Sequence, residues 1–167
     1  MEFLLLIIVL GLLAGIYYIV DYFDELDTKI SIKESLDLAN LPVITFINND
    51  TKFNFLLDTG STQSHIIPEC IKYMTGESSK FEQSFINSNS SFTITELFNT
   101  QLQYKDSKFE VSLYINPGLT ESLIKVKQNF GVTVHGMLGS DFLQKYKYIL
   151  DFNKCVVYNK KSFTWKR

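Results

Sequence analysis

A mainly β domain with one short helix near its C-terminal end, placed behind an N-terminal transmembrane helix, is the fold class that this 167-residue sequence predicts. Three observations carry that prediction. Apolar residues recur with a period of two from Val43 onward, the pattern of strands with one buried face. Asn, Asp, Gly and Pro stand between those runs, where the backbone has to turn. Ahead of them, Phe3 to Val20 contains neither a charge nor a proline and has the length a helix needs to cross a bilayer. Hydrophobic residues make up 46% of the chain and aromatics 14%, with 14 Phe and 9 Tyr, enough to fill one strand-rich core and unlike a disordered chain.

The apolar run defines a transmembrane anchor over 1–22, with Tyr17, Tyr18 and Tyr22 where interfacial aromatics belong. No Lys or Arg precedes it and no small-x-small site follows it, which favours an anchor over a cleaved signal peptide. The charges on its flanks are mixed, so the side of the membrane the domain faces stays open. Residues 23–40 read as an acidic linker, a stalk or an edge strand, with Ile30, Ile32, Leu36 and Leu38 set among charges.

The domain is expected over 41–160. Val43 to Ile47 and Phe53 to Leu57 form a hairpin about Asn48-Asn49-Asp50. Ser64 to Ile67 is a short apolar piece stopped by Pro68, which suits the first turn of a small helix. Phe92 to Phe98 and Phe109 to Ile115 alternate as hairpin arms, the second following a turn at Lys105 to Lys108. Pro117-Gly118 breaks the pattern, and Leu119, Leu123, Val126 and Phe130 then recur at helical spacing up to Gly131, an apolar stripe that packs over the barrel. Ser140 caps a helix over Asp141 to Tyr146, and a last hairpin turns at Asn153-Lys154. Residues 161–167 are a basic tail.

Composition excludes several functions. A formal net charge of -2 offers no basic face for phosphates, so nucleic acid is not expected as a partner. Cys70 and Cys155 lack the paired spacing of a zinc or redox motif and read as packed thiols. His65 and His135 alone cannot build a histidine metal cluster, so neither a metal nor a cofactor is expected.

One constellation carries chemistry. Leu56-Leu57 run directly into Asp58-Thr59-Gly60-Ser61, placing a carboxylate at the end of a buried strand. Gly60 can bring its N–H close to that carboxylate, and the Thr59 and Ser61 hydroxyls can hydrogen-bond around it. An Asp-Thr-Gly alone is most often a turn. Later in the chain, however, Met137-Leu138-Gly139-Ser140-Asp141-Phe142-Leu143 precedes the short helix.

Together these motifs resemble the retropepsin-like aspartic proteases, which carry apolar-apolar-Asp-Thr/Ser-Gly-Ser/Ala early and apolar-apolar-Gly before a single C-terminal helix. The resemblance spans Leu41 to Tyr158, and Gly136 to Leu143 is similar to the cellular, bacterial-type members. It implies a single closed, barrel-like lobe and an aspartic endopeptidase acting on a peptide or protein. Asp58 would be catalytic, Thr59 would bond across a dimer axis, Ser61 would support the carboxylate, and Leu138 and Gly139 would stand behind the site. A substrate-covering flap is implied around Phe85 to Ile94, with Asn87, Ser88, Asn89 and Ser90 at its tip; these lack the glycines of viral flaps. The chemistry requires two carboxylates sharing a proton. Asp50-Thr51-Lys52 and Asp106-Ser107-Lys108 lack the glycine, so the second carboxylate is expected from a homodimer. The alternative is a non-catalytic dimerisation or peptide-binding module on the same fold.

Overall fold

The computed structural model describes residues 2–27, 29–86 and 91–159, with 2–6, 20–27, 81, 83, 85–86 and 91–95 described by backbone alone. In chain order the elements are α1 (Glu2–Asp27), β1 (Ile30–Ser31), α2 (Lys33–Ala39), β2 (Val43–Asn48), β3 (Thr51–Leu57), β4 (His65–Ile66), α3 (Pro68–Ile71), β5 (Gly76–Ile86), β6 (Ser91–Tyr104), β7 (Ser107–Ile115), α4 (Leu119–Phe130), β8 (Gly136–Leu138), α5 (Ser140–Lys145), β9 (Tyr148–Asp151) and β10 (Val156–Asn159).

The hairpin β2–β3 turns on two residues, Asn49 and Asp50, both with positive φ. That is the twist a two-residue hairpin loop needs, and short polar side chains tolerate it. Alternation then sets the core: Ile44 and Phe46 point inward while Thr45 and Ile47 stay exposed. Six strands close into a ring in the order β2-β3-β8-β4-β7-β6, the pair Ile47 and Gln103 joining β6 back to β2. Strand β5 pairs with β6 over Ser91 to Thr100 and extends beyond the ring as an open edge. A second sheet, β1-β10-β9, packs its Ile30 and Val157 into the same core.

Strand β8 occupies the decisive position. It runs parallel to β3 and antiparallel to β4, wedged between them. Gly136 makes this approach possible, because a Cβ there would lie 2.4 Å from the His65 carbonyl and 2.8 Å from the Phe55 ring. Phe46 fills the barrel centre, edge-on to Phe55, Phe109 and Phe142, the geometry that aromatic quadrupoles favour. Phe46 and Phe55 are fully buried, each contributing about 1.5–3 kcal/mol of hydrophobic stabilisation. Near the ring closure, buried Asn48 donates to the Thr75 and Gln101 carbonyls and to the Thr100 hydroxyl, and accepts from the Thr75 N–H. Its amide is thereby satisfied, which removes the penalty for burying it.

Helix α4 lays Leu123 against Val43 and Val134, with Leu119 and Val126 beside them, so the segment after Pro117 packs over the barrel as its apolar spacing predicts. Phe130, the last residue of that stripe, is instead 45% exposed at the helix end. Two boundaries differ from expectation. Residues 23–40 are not linker throughout: β1 pairs with β10, Ile30 and Ile32 are each 1% exposed, and α2 buries Ala39. Two buried isoleucines, Ile30 in the ladder and Ile32 with its N–H on the Cys155 carbonyl, gain more from the core than a solvated stalk would. At α5 the capping position belongs to Gly139, and Ser140 is the first helical residue.

Among the described residues no helix is long and apolar enough to cross a membrane. Helix α1 has 26 residues, and the side chains described along it, Ile7 to Ile19, cover about 20 Å at 1.5 Å per residue. They are apolar and exposed on every side, from Val9 at 44% to Tyr18 at 75%.

Candidate active site

Strand β3 is buried at Phe53, Phe55 and Leu57, and its ladder to β8 continues one residue further, the Asp58 N–H donating to the Leu138 carbonyl at 3.0 Å. The strand therefore delivers Asp58 in a fixed position at the point where it leaves the barrel. The Leu57 N–H is held by the Pro42 carbonyl at 2.9 Å from the other side. Asp58 itself is partly exposed, and Thr59 and Gly60 are exposed beside it.

The turn that follows closes on its own carboxylate. The Gly60 N–H donates to Asp58 Oδ1 at 2.9 Å, and the Ser61 N–H to the Asp58 carbonyl at 3.2 Å. One carboxylate oxygen is thus oriented by backbone. Ser61, expected to support the carboxylate directly, instead sends its hydroxyl to the Gln63 carbonyl at 2.7 Å. Its support is of the turn, because a serine hydroxyl finds a carbonyl two residues on within easy reach.

Leu138 and Gly139 lie behind the turn. Leu138 is fully buried, and a Cβ on Gly139 would lie 2.5 Å from the Gln63 carbonyl oxygen and 2.8 Å from that of Ser61. The structure therefore gathers Asp58, Gly60, Ser61, Leu138 and Gly139 into one unit, with Thr59 at its exposed tip. Asn87, Ser88, Asn89 and Ser90, the expected flap tip, lie outside the described residues. The arms leading to them are present as the antiparallel pair β5–β6, up to Ile86 opposite Ser91.

Two residues that motif reading did not assign belong to the same unit. Asp141 accepts from Ser64 twice, from its N–H at 3.1 Å and from its hydroxyl at 2.7 Å. No local pattern joins Ser64 to Asp141; only the wedging of β8 between β3 and β4 brings them together. Around them sit groups whose acidity the site shifts. Burial lowers the pKa of His65, opposed by the negative charges of Asp141 and Asp58. Burial, helped by Asp141, raises that of Tyr114.

Both cysteines are free, and burial with the neighbouring Glu69 pushes the Cys70 thiol up to about 11, leaving it protonated and inert near neutral pH. Among the described residues no three His, Cys, Asp or Glu side chains group as metal ligands.

No family model matches the sequence, and no curated protein matches it. Among solved structures the chain is similar to the EIAV protease complexed with the inhibitor HBY-793, at 18% identity and a TM-score of 0.45, over 63% of this chain and 86% of that one. An overlap that loose leaves the reading of the site to the chain's own residues.

Proposed function

We propose that this chain is a retropepsin-like aspartic endopeptidase whose active site is completed by a second copy of itself. The observation that carries this reading is the Asp58 carboxylate: partly exposed at the end of a buried strand, with one oxygen oriented by the Gly60 N–H and its turn braced by β8. A general base needs this combination of a fixed carboxylate and an open approach.

Two such carboxylates brought together cannot both ionise, so they share one proton. The ionised member takes a proton from a water molecule as that water attacks the peptide carbonyl. The protonated member donates to the carbonyl oxygen. Collapse of the tetrahedral intermediate returns the proton count to its start as the amine leaves. Each chain contributes one Asp-Thr-Gly, so two-fold pairing would supply the dyad, and the exposed Thr59 is the residue proposed to bond across the axis. The open edge of β5 offers N–H and C=O groups to which an extended peptide can add as a strand.

Anchoring completes the proposal. The exposed apolar surface of α1, together with the uncharged run from Phe3 to Val20, supports a single-pass membrane anchor. Anchoring two copies in one bilayer raises their effective concentration and favours pairing.

The test is cleavage of a peptide library by the full chain in detergent or lipid, beside Asp58→Asn and with a pepstatin-type inhibitor. The expected outcome is that Asp58→Asn lowers kcat/KM by at least about a hundredfold. A dimeric chain that cleaves nothing, or a variant as active as its parent, would point to a peptide-binding or dimerisation module instead.

A further inference from the structure

We infer that Asp141 is a positioning residue for Asp58, acting through Ser64; this rests on the aspartic-protease reading above. The Asp141 carboxylate stands in the first turn of α5 and takes two hydrogen bonds from Ser64, N–H to Oδ2 at 3.1 Å and hydroxyl to Oδ1 at 2.7 Å. Ser64 is 1% exposed, and its oxygen also accepts the Gly139 N–H at 3.0 Å. At the other end of the same short stretch, the Ser140 N–H donates to the Ser61 carbonyl at 2.8 Å. Residues 139–141 therefore grip the turn at both Ser61 and Ser64, while Leu138 holds the Asp58 N–H. The catalytic turn and the start of α5 form one hydrogen-bonded body.

The donor count explains why a carboxylate is required. Ser64 presents two donors, its N–H and its O–H, and both reach the acceptor-only carboxylate of Asp141, while its oxygen accepts from the Gly139 N–H. Two acceptor oxygens on one side chain satisfy both, whereas an Asn at 141 would offer a single acceptor and leave one donor buried without a partner.

The experiment compares the full chain with Asp141→Ala, Asp141→Asn and Ser64→Ala, and with Thr100→Val as a control. Thr100 is buried outside the turn, and its hydroxyl donates to the Thr75 carbonyl and accepts from Asn48, so its loss weakens the fold without touching residues 58–64. Three readouts are taken: steady-state kinetics, the melting temperature, and amide hydrogen exchange of residues 59–64. Asp141→Ala is expected to lower kcat by ten- to a hundredfold with KM within twofold of the parent, the cost of a misplaced catalytic group. Asp141→Asn should fall between it and the parent, and amide exchange in the turn should quicken at least tenfold. Ser64→Ala should reproduce the loss of kcat, and it serves alone if Asp141→Ala does not fold. Thr100→Val should melt earlier with kcat and turn exchange unchanged. The inference is overturned if the Asp141 and Ser64 variants keep kcat within twofold of the parent, or if Thr100→Val loses kcat in proportion to its stability. If the parent cleaves no peptide, the protease reading fails, and turn exchange alone then decides: unchanged protection in Asp141→Ala disproves the brace.

Discussion

The turn at residues 58–64 and the hairpin β5–β6 present opposite solutions to the placing of polar chain. The turn is short and held from several sides: by Leu138 and Pro42 at its base, by Gly139 and Asp141 at Ser64, and by its own carboxylate at Gly60. The β5 arm is long, exposes Glu77, Ser78, Ser79, Lys80, Glu82 and Ser84, and among the described strands pairs with β6 alone. On the proposed protease reading, the turn needs its atoms held in place for chemistry, whereas β5 needs backbone left open for strand addition. The molecule puts its hydrogen bonds where placement matters.

That contrast is most easily broken at the base of the turn. The Ser35 hydroxyl accepts the Val43 N–H at 3.0 Å, next to the Pro42 carbonyl that holds Leu57. A chain starting at Leu41 loses this brace, the β1 ladder, and buried Ile30 and Ile32, each about 1.5–3 kcal/mol of hydrophobic burial. Set against a domain's stability of about 5–15 kcal/mol, this is severe. Thermal melts followed by near-UV circular dichroism should show a weak or absent transition for the Leu41 start and a cooperative one for a start at Lys29.

A smaller disturbance sharpens the comparison inside the turn. Gly139→Ala should cost about 1–3 kcal/mol, because its Cβ meets backbone oxygens of Gln63 and Ser61, which cannot rotate away. Melting temperature and peptide cleavage should fall together in this variant, since the atoms displaced belong to the turn that carries Asp58.

Acid should produce the smallest effect. Burial lowers the pKa of both His65 and His135 in the fold, so between those values and the ordinary 6.5 the unfolded chain binds more protons. The stability they contribute is complete above about pH 6.5 and is lost as the pH falls through that window. His135→Asn keeps an acceptor for the Asn54 N–H, which His135 Nδ1 takes at 2.9 Å, and removes the titration. Its melting temperature should decline less between pH 7 and pH 5 than that of the parent; an equal decline would exclude His135 as a source.

Much of the barrel was legible because its strands follow simple alternation. The hairpin β2–β3, strand β7, helix α4 with its Gly131 cap, and the β9–β10 turn all lie where periodicity and turn residues put them. Strand β5 was not legible, since Gly76 to Lys80 offers no apolar alternation and its order comes from the β6 ladder. Strand β1 was blurred by the charges around it, although two buried isoleucines decide its fate. In the candidate site, Asp58, Gly60, Leu138 and Gly139 follow from local motifs. The Ser64–Asp141 contact does not, because it depends on the wedge made by a strand from far along the chain, and the Ser61 hydroxyl has several local acceptors between which the motif does not choose.

That wedge has a consequence for the timing of synthesis. Asp58 emerges early, but the carbonyl that fixes its N–H belongs to Leu138, and β8 enters between two strands made long before it. Contacts between such distant parts of a chain form late and slowly. A nascent chain that has not reached Leu138 carries the aspartate without its backing, so the Asp58 N–H is fixed only after β8 has been made.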